Sequence, residues 1–144
     1  MDNAQIARGV FEELYGRGNL DYVDECFDGN YRGHDTLIGD FGIDQLKQQA
    51  QMYRSAFPDL TIKVDDLVAS AEKVLVRWTA RGTHRGTFLG RAATGKRTQA
   101  EGITVFTFRN GKIAEDWTQW DALGLLQELG ITPQIPELSA PAQQ

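Results

Sequence analysis

Asp116 is the side chain in this sequence best placed to move a proton. It lies in the segment Lys112–Trp120, whose alternation puts it on one face with Ala114 and Trp120. A carboxyl group among such neighbours loses water, and desolvation lifts its pKa from about 3.9 towards neutrality. There it can act as a general base and acid, taking a proton and returning it elsewhere. The competing assignment is a solvated carboxylate at the sheet surface, paired with an arginine such as Arg81. Asp121 is a second acid, at the end of the same segment. It precedes Ala122-Leu123-Gly124-Leu125-Leu126, where an aspartate is also a good helix N-cap. His34, three residues after Tyr31, could donate to a carbonyl oxygen or shuttle a proton near neutral pH, or be an ordinary loop histidine. His84 falls at the end of a strand pattern and is expected to belong to the following loop.

Tyr53, Trp78, Phe106 and Trp120 are of the type that lines a pocket and stacks on a flat ligand, although such aromatics also serve as plain core. Gly90-Arg91-Ala92-Ala93-Thr94-Gly95-Lys96 matches the first part of a phosphate-binding loop, but Arg97 stands where Ser or Thr is required. The segment also leads into a strand pattern, whereas that motif must open a helix, so it is set aside. With one cysteine, Cys26, and two histidines, an internal disulfide and a Cys-based zinc site are excluded, and a histidine-rich metal centre is not expected.

These residues must be positioned by helices that come first and strands that follow. Asp2 or Asn3 can cap a helix to about Tyr15, with Ile6, Val10, Phe11 and Leu14 as its buried stripe. A short helix from about Leu20 to Cys26, capped by Asn19, and an extended piece from Asn30 to Asp35 come next. Gly39 to Gly42 turns into a helix over about residues 43–57, with Ile43, Leu46, Ala50, Tyr53 and Phe57 inward and Pro58 as its stop. The period then changes to two. Leu60, Ile62 and Val64 begin a strand that slips near Asp65-Asp66, the mark of a bulge. Lys73 to His84, Arg97 to Arg109 and Lys112 to Trp120 are further strands, and a helix over residues 122–129 ends at Gly130. Helices followed by a strand meander make an α+β roll, a cone in which the N-terminal helices pack into a strongly curved antiparallel or mixed sheet. A cavity between helices and sheet is the natural ligand site.

Asn110-Gly111 is a hairpin turn. A two-residue loop sets Val105 opposite Asp116; a three-residue loop with Gly111 as the bulge sets Thr104 there, flanked by Phe106 and Gly102. Ile103, Val105, Ile113 and Trp117 fall on the face away from the pocket, and an apolar outer face calls for cover. A homodimer through that face is expected.

The formal charge is −5, and the basic residues are scattered rather than clustered. Neither nucleic acid nor an anionic membrane is therefore expected as a partner. Apolar residues form 41% of the 144 and charged residues 24%, an ordinary globular balance. No secretory pattern opens the chain and no apolar run approaches a membrane span, so a cytoplasmic protein is expected. Residues 1–130 are expected to form one domain, followed by a largely disordered tail over 131–144.

Thr83-His84-Arg85-Gly86-Thr87-Phe88-Leu89-Gly90 with Thr94-Gly95-Lys96 resembles the strand-loop-strand segment of SnoaL-like polyketide cyclases. Phe57-Pro58-Asp59-Leu60, Asn110-Gly111-Lys112-Ile113, Glu115-Asp116-Trp117, Asp121 and Leu123 through Gly130 extend the resemblance over nearly the whole chain. The resemblance implies the cone-shaped fold shared with ketosteroid isomerases and nuclear transport factor, a deep pocket, frequent dimerisation and no cofactor. It favours the three-residue hairpin loop and a polar residue near His34 that points inward. The cyclases close a ring by aldol addition, using a pocket aspartate to take and return the proton. Counted without gaps from Gly111-Lys112-Ile113, that aspartate falls on Thr118, and a polar pair of the preceding strand on Gly102 and Thr104. Neither threonine nor glycine can act as a base. The expected function is thus a cofactor-free acid–base enzyme acting on a hydrophobic carbonyl compound. Asp116 would be the base and His34 or Thr118 would assist. The alternatives are a binding module without turnover and a hydroxylase auxiliary of the same family.

Overall fold

The computed structural model describes residues 1–131, so the tail expected from residue 131 lies, but for Ile131, outside the described residues. The chain opens with α1, Asn3–Gly9, closed at its start by a capping box. Gln5 N donates to Asp2 Oδ1 and Asp2 N donates to Gln5 Oε1, both at 2.8 Å. The expected helix to Tyr15 changes pitch on the way, because Val10–Tyr15 is π-helical. This wider turn keeps Val10, Phe11 and Leu14 buried while Tyr15 also packs against the core. Helix α2, Asp21–Cys26, has Leu20 at its N-cap with no side-chain hydrogen bond, so Asn19 is not the cap expected from its type.

Strand β1 runs Phe27–Asp35 and β2 Gly39–Phe41. Both exceed the sequence expectation: β1 starts directly after α2, and the Gly39 segment is a strand rather than a turn. Helix α3 follows over Ile43–Ala56. Then come β3, Thr61–Ala69, β4, Lys73–Thr83, β5, Arg97–Arg109, and β6, Lys112–Trp120. The described chain ends with α4, Ala122–Glu128. The six strands form one sheet in the order β2-β1-β6-β5-β4-β3. Every pairing is antiparallel except β1 with β6, which is parallel. The α+β cone is therefore built on a mixed sheet whose first long strand lies beside its last.

Two bulges set which side chains face the helices. The one expected near Asp65 is present, since the β3–β4 register shifts between Val64 and Asp66. The β5–β6 hairpin has the two-residue loop and not the favoured three-residue one, yet neither expected residue stands opposite Asp116. Arg109 pairs with Lys112, so the loop is the two residues Asn110 and Gly111, both with positive φ, at 52° and 77°. That is the type I′ pattern, whose twist suits a hairpin. The register then shifts between Thr107 and Phe108, because Ala114 is an extra residue on β6. Phe106 consequently stands opposite Asp116, and Thr104 opposite Thr118. The same bulge turns Ile113 inward, where it is fully buried in the main core rather than on the outer face.

The core lies between the concave sheet face and the helices. Val74, Val76 and Trp78 of β4 and Phe106 and Phe108 of β5 meet Val10, Phe11 and Leu14. Burying side chains of this size contributes about 1.5–3 kcal/mol each. On the outer face Ile103 and Trp117 stay exposed, at 41% and 53%. Among the described residues, no helix is long and apolar enough to cross a membrane.

Candidate active site

The helices and the sheet do not close on each other completely. They leave a cavity of about 110 Å³, measured as space open to the centre of a water molecule. Aromatic rings dominate its wall: Phe11 and Tyr15 from the first helix, Tyr31 from β1, Tyr53 from α3, Trp78 from β4, Trp120 from β6. Into this apolar space β6 delivers Asp116 and Thr118, β5 delivers Thr104 and Phe106, and β1 delivers Asp35.

Asp116 is buried, at 6% exposure. Its Oδ2 accepts a hydrogen bond from the Tyr31 hydroxyl at 2.7 Å. Loss of water dominates its titration and pushes its pKa from 3.8 up to about 7; the Tyr31 hydrogen bond opposes this and the Asp35 charge adds to it. Burial first, and the neighbouring Asp116 second, hold the Tyr31 phenol far above its ordinary value. Tyr31 therefore keeps its proton and acts as a fixed donor. The Tyr15 phenol is also raised, by burial first and by the charge of Asp116 second.

A second polar group lies one step along the same wall. On the parallel pair, Gly33 is opposite Asp116 and Asp35 opposite Thr118. Asp35 Oδ1 accepts from the backbone N–H of Leu37 at 2.8 Å and Ile38 at 3.1 Å, and from Trp120 Nε1 at 3.2 Å. A third group spans two strands. Trp78 Nε1 donates to Thr104 Oγ1 at 3.0 Å, and the hydroxyls of Thr104 and Thr118 share a hydrogen bond at 2.9 Å.

The residues singled out from the sequence divide accordingly. Asp116, Thr118, Thr104, Tyr53, Trp78, Phe106 and Trp120 are brought together on the cavity wall. His34 is not, contrary to the inward orientation expected for it. Strand alternation puts His34 on the outer face, where Nδ1 meets Asp40 Oδ1 at 2.8 Å and Nε2 meets Glu115 Oε2 at 2.7 Å. Its ring stacks on Trp117 at 3.9 Å, and the hydrogen bonds to Asp40 and then Glu115 raise its pKa. Asp121 is exposed and caps α4, accepting from Gly124 N at 2.8 Å, so its carboxylate serves the helix and lies outside the cavity wall. Arg81 lies along the cavity wall but bonds Gln99 through Nε at 3.1 Å. His84 is buried in the loop after β4, with Nδ1 accepting from Thr94 N at 3.2 Å.

Tyr15, Tyr31, Asp35 and Gln49 were missed. The signal for two of them was present, because alternation through Tyr31, Gly33 and Asp35 sets them opposite to Arg32 and His34. Among the described residues no group of three or more His, Cys, Asp or Glu side chains is arranged to hold a metal ion.

A helix-filled cone with a carboxyl group in an apolar cavity defines a class of small-molecule pocket proteins. The model of the SnoaL-like polyketide cyclase family matches residues 5–129, and the chain belongs to that family. TsrD from Streptomyces laurentii superposes with a TM-score of 0.79 at 29% identity, covering 91% of this chain and 98% of that one. IdmH from Streptomyces antibioticus, a proposed polyketide cyclase, gives 0.77 at 26% identity, over 88% and 96%. A proposed SnoaL-like polyketide cyclase from Jannaschia sp. CCS1 gives 0.82 at 23% identity, over 91% and 93%, a likeness of fold. No curated protein matches the chain.

Proposed function

We propose that this protein is an acid–base enzyme that moves a proton next to the carbonyl of a neutral, hydrophobic compound. This is the step that opens an aldol ring closure or an isomerisation. The observation that carries this is Asp116: a carboxyl group in an apolar cavity, one oxygen held by Tyr31, with a pKa near 7. A base poised near the working pH exists in both protonation states and can both accept and return a proton. Ionised Asp116 takes the proton from the carbon, and the electron pair moves onto the carbonyl oxygen. The hydroxyls of Thr104 and Thr118 offer a donor on the same wall. Once the new bond has formed, Asp116 returns its proton to the oxygen. Asp35 in the same cavity disfavours anionic ligands.

The test uses cyclic aryl ketones such as 2-tetralone in D2O, with loss of the α-proton signal followed by NMR. Wild type is expected to speed the exchange, and Asp116→Asn to reduce the enzymatic part by about a hundredfold or more. Exchange within twofold of wild type in the variant would remove Asp116 from the mechanism.

A second possibility, ligand binding without turnover, is favoured by Thr118 occupying the position to which the family resemblance assigns the catalytic aspartate. Saturable binding of such ketones with α-exchange at the buffer rate would establish it. We also propose a homodimer through the outer sheet face, on the strength of exposed Ile103 and Trp117. A monomeric mass by light scattering at micromolar concentration would contradict it.

A further inference from the structure

One buried polar side chain in the cavity wall has no partner. Gln49 lies on the inner face of α3 with Leu46, Ala50 and Tyr53, at the three- and four-residue spacings of a helix stripe. Leu46 and Ala50 are fully buried core, and Gln49 is 7% exposed. Its Nε2 is enclosed and finds no hydrogen-bond partner among the described residues. Leaving a buried amide unpaired costs about 1–3 kcal/mol, which an apolar residue of the same length would avoid. The side chain lines the cavity, and rotation about its last torsion, which is soft, brings the N–H edge of the amide to a ligand there.

Several of the other donors on the wall are already used. Trp78 Nε1 is spent on Thr104, Trp120 Nε1 on Asp35, Tyr31 on Asp116, and Thr98 Oγ1 on the carbonyl of Gly82. Gln49 thus holds an uncommitted N–H pair. Its amide is uncharged, and the carboxyl groups of Asp35 and Asp116 face the same space. Its fitting partner is therefore a neutral oxygen acceptor rather than an anion.

We propose that Gln49 anchors an oxygen atom of the ligand, a carbonyl or ether oxygen, at the α3 wall, so that the cavity selects oxygenated neutral compounds over hydrocarbons of the same shape. This rests on the cavity being the ligand site described under the proposed function. It assigns to Gln49 a positioning and specificity role, separate from the proton transfer at Asp116.

The experiment compares 2-tetralone with tetralin, the same bicycle without the carbonyl, by NMR titration of wild type and Gln49→Met. Wild type is expected to prefer the ketone by about two- to tenfold, the worth of one neutral hydrogen bond. Gln49→Met should lose that preference while binding tetralin at least as well. It should also melt at the same temperature as ligand-free wild type or higher, because a buried unpaired amide has been replaced by an apolar chain. A lower melting temperature would show that the amide has a partner within the fold, and an unchanged ketone preference would show that the anchor lies elsewhere. Either overturns the inference, as does failure of wild type to prefer the ketone. The proton-transfer proposal is judged separately: Asp116-dependent α-exchange together with a ketone preference that survives Gln49→Met sinks this inference alone. A Gln49-dependent preference without exchange sinks the enzyme and leaves the anchor standing.

Discussion

Replacing Asp116 by asparagine should change the pH dependence of stability by an amount that follows from its burial, with no substrate needed. In the fold its carboxyl is pushed up from the ordinary 3.8 to about 7, chiefly because it has lost water. The sign follows from linkage. A folded-state pKa above the unfolded value means that the native state binds the extra proton between the two. The stability associated with that proton is complete below about pH 4 and is lost as pH rises to 7. Above 7 the penalty is constant, at about 4 kcal/mol, the equivalent of three pH units. Asparagine keeps the shape and can accept the Tyr31 hydroxyl, yet it does not ionise. Urea denaturation of both proteins at pH 5.5 and pH 8 isolates the effect, since every other titrating group is common to the pair. The variant should gain about 2 kcal/mol on wild type between the two pH values. A difference that stays flat across that interval would mean that Asp116 is hydrated, and the proposed base would lose its physical foundation.

Tyr31→Phe removes the donor that favours ionised Asp116, so the Asp116 carboxyl should titrate about 1–2 pH units higher, visible in its ¹³C resonance and in the acid limb of α-exchange. A limb that stays put or moves down would contradict the hydrogen-bonded geometry. Gly33→Ala puts a Cβ against the Phe41 ring and the Tyr31 hydroxyl; it should cost about 1–3 kcal/mol in urea melts and move the Asp116 titration in the same direction as Tyr31→Phe. Asp121→Ala should cost about 1 kcal/mol through loss of the α4 cap and leave exchange unchanged, a test of its structural role. His34, raised by Asp40 and then Glu115, should titrate above its ordinary 6.5 by NMR and return towards it in Asp40→Asn. The stability this cluster contributes is present at low pH and fades as pH rises through the His34 value.

Much of the site was legible from single segments. Asp116, Thr118 and Trp120 share a face because strand alternation is fixed by the backbone, whatever surrounds it. The Asp2 cap and the Asn110-Gly111 turn depend on neighbours within a few residues. Alternation also contained the inward direction of Tyr31 and Asp35, although His34 beside them is the more conspicuous proton carrier by residue type. The hairpin register failed for a different reason. The extra residue at Ala114 leaves no mark in the sequence comparable to the paired aspartates at the β3 bulge, and it decides both the partner of Asp116 and the burial of Ile113.

The sequence by itself determined the order of the helices and the long strands, the family, and the presence of an acid on the cavity side of the last strand. Only the tertiary structure decided what that acid meets. Tyr31 reaches Asp116 across 85 residues of chain, because β1 pairs in parallel with β6 after every intervening strand has been laid down. Such a contact is set by how whole elements pack, and nothing in the residues flanking either partner records it. The unpaired Gln49 belongs to the same category, for an amide is orphaned by its surroundings and not by its place in a helix.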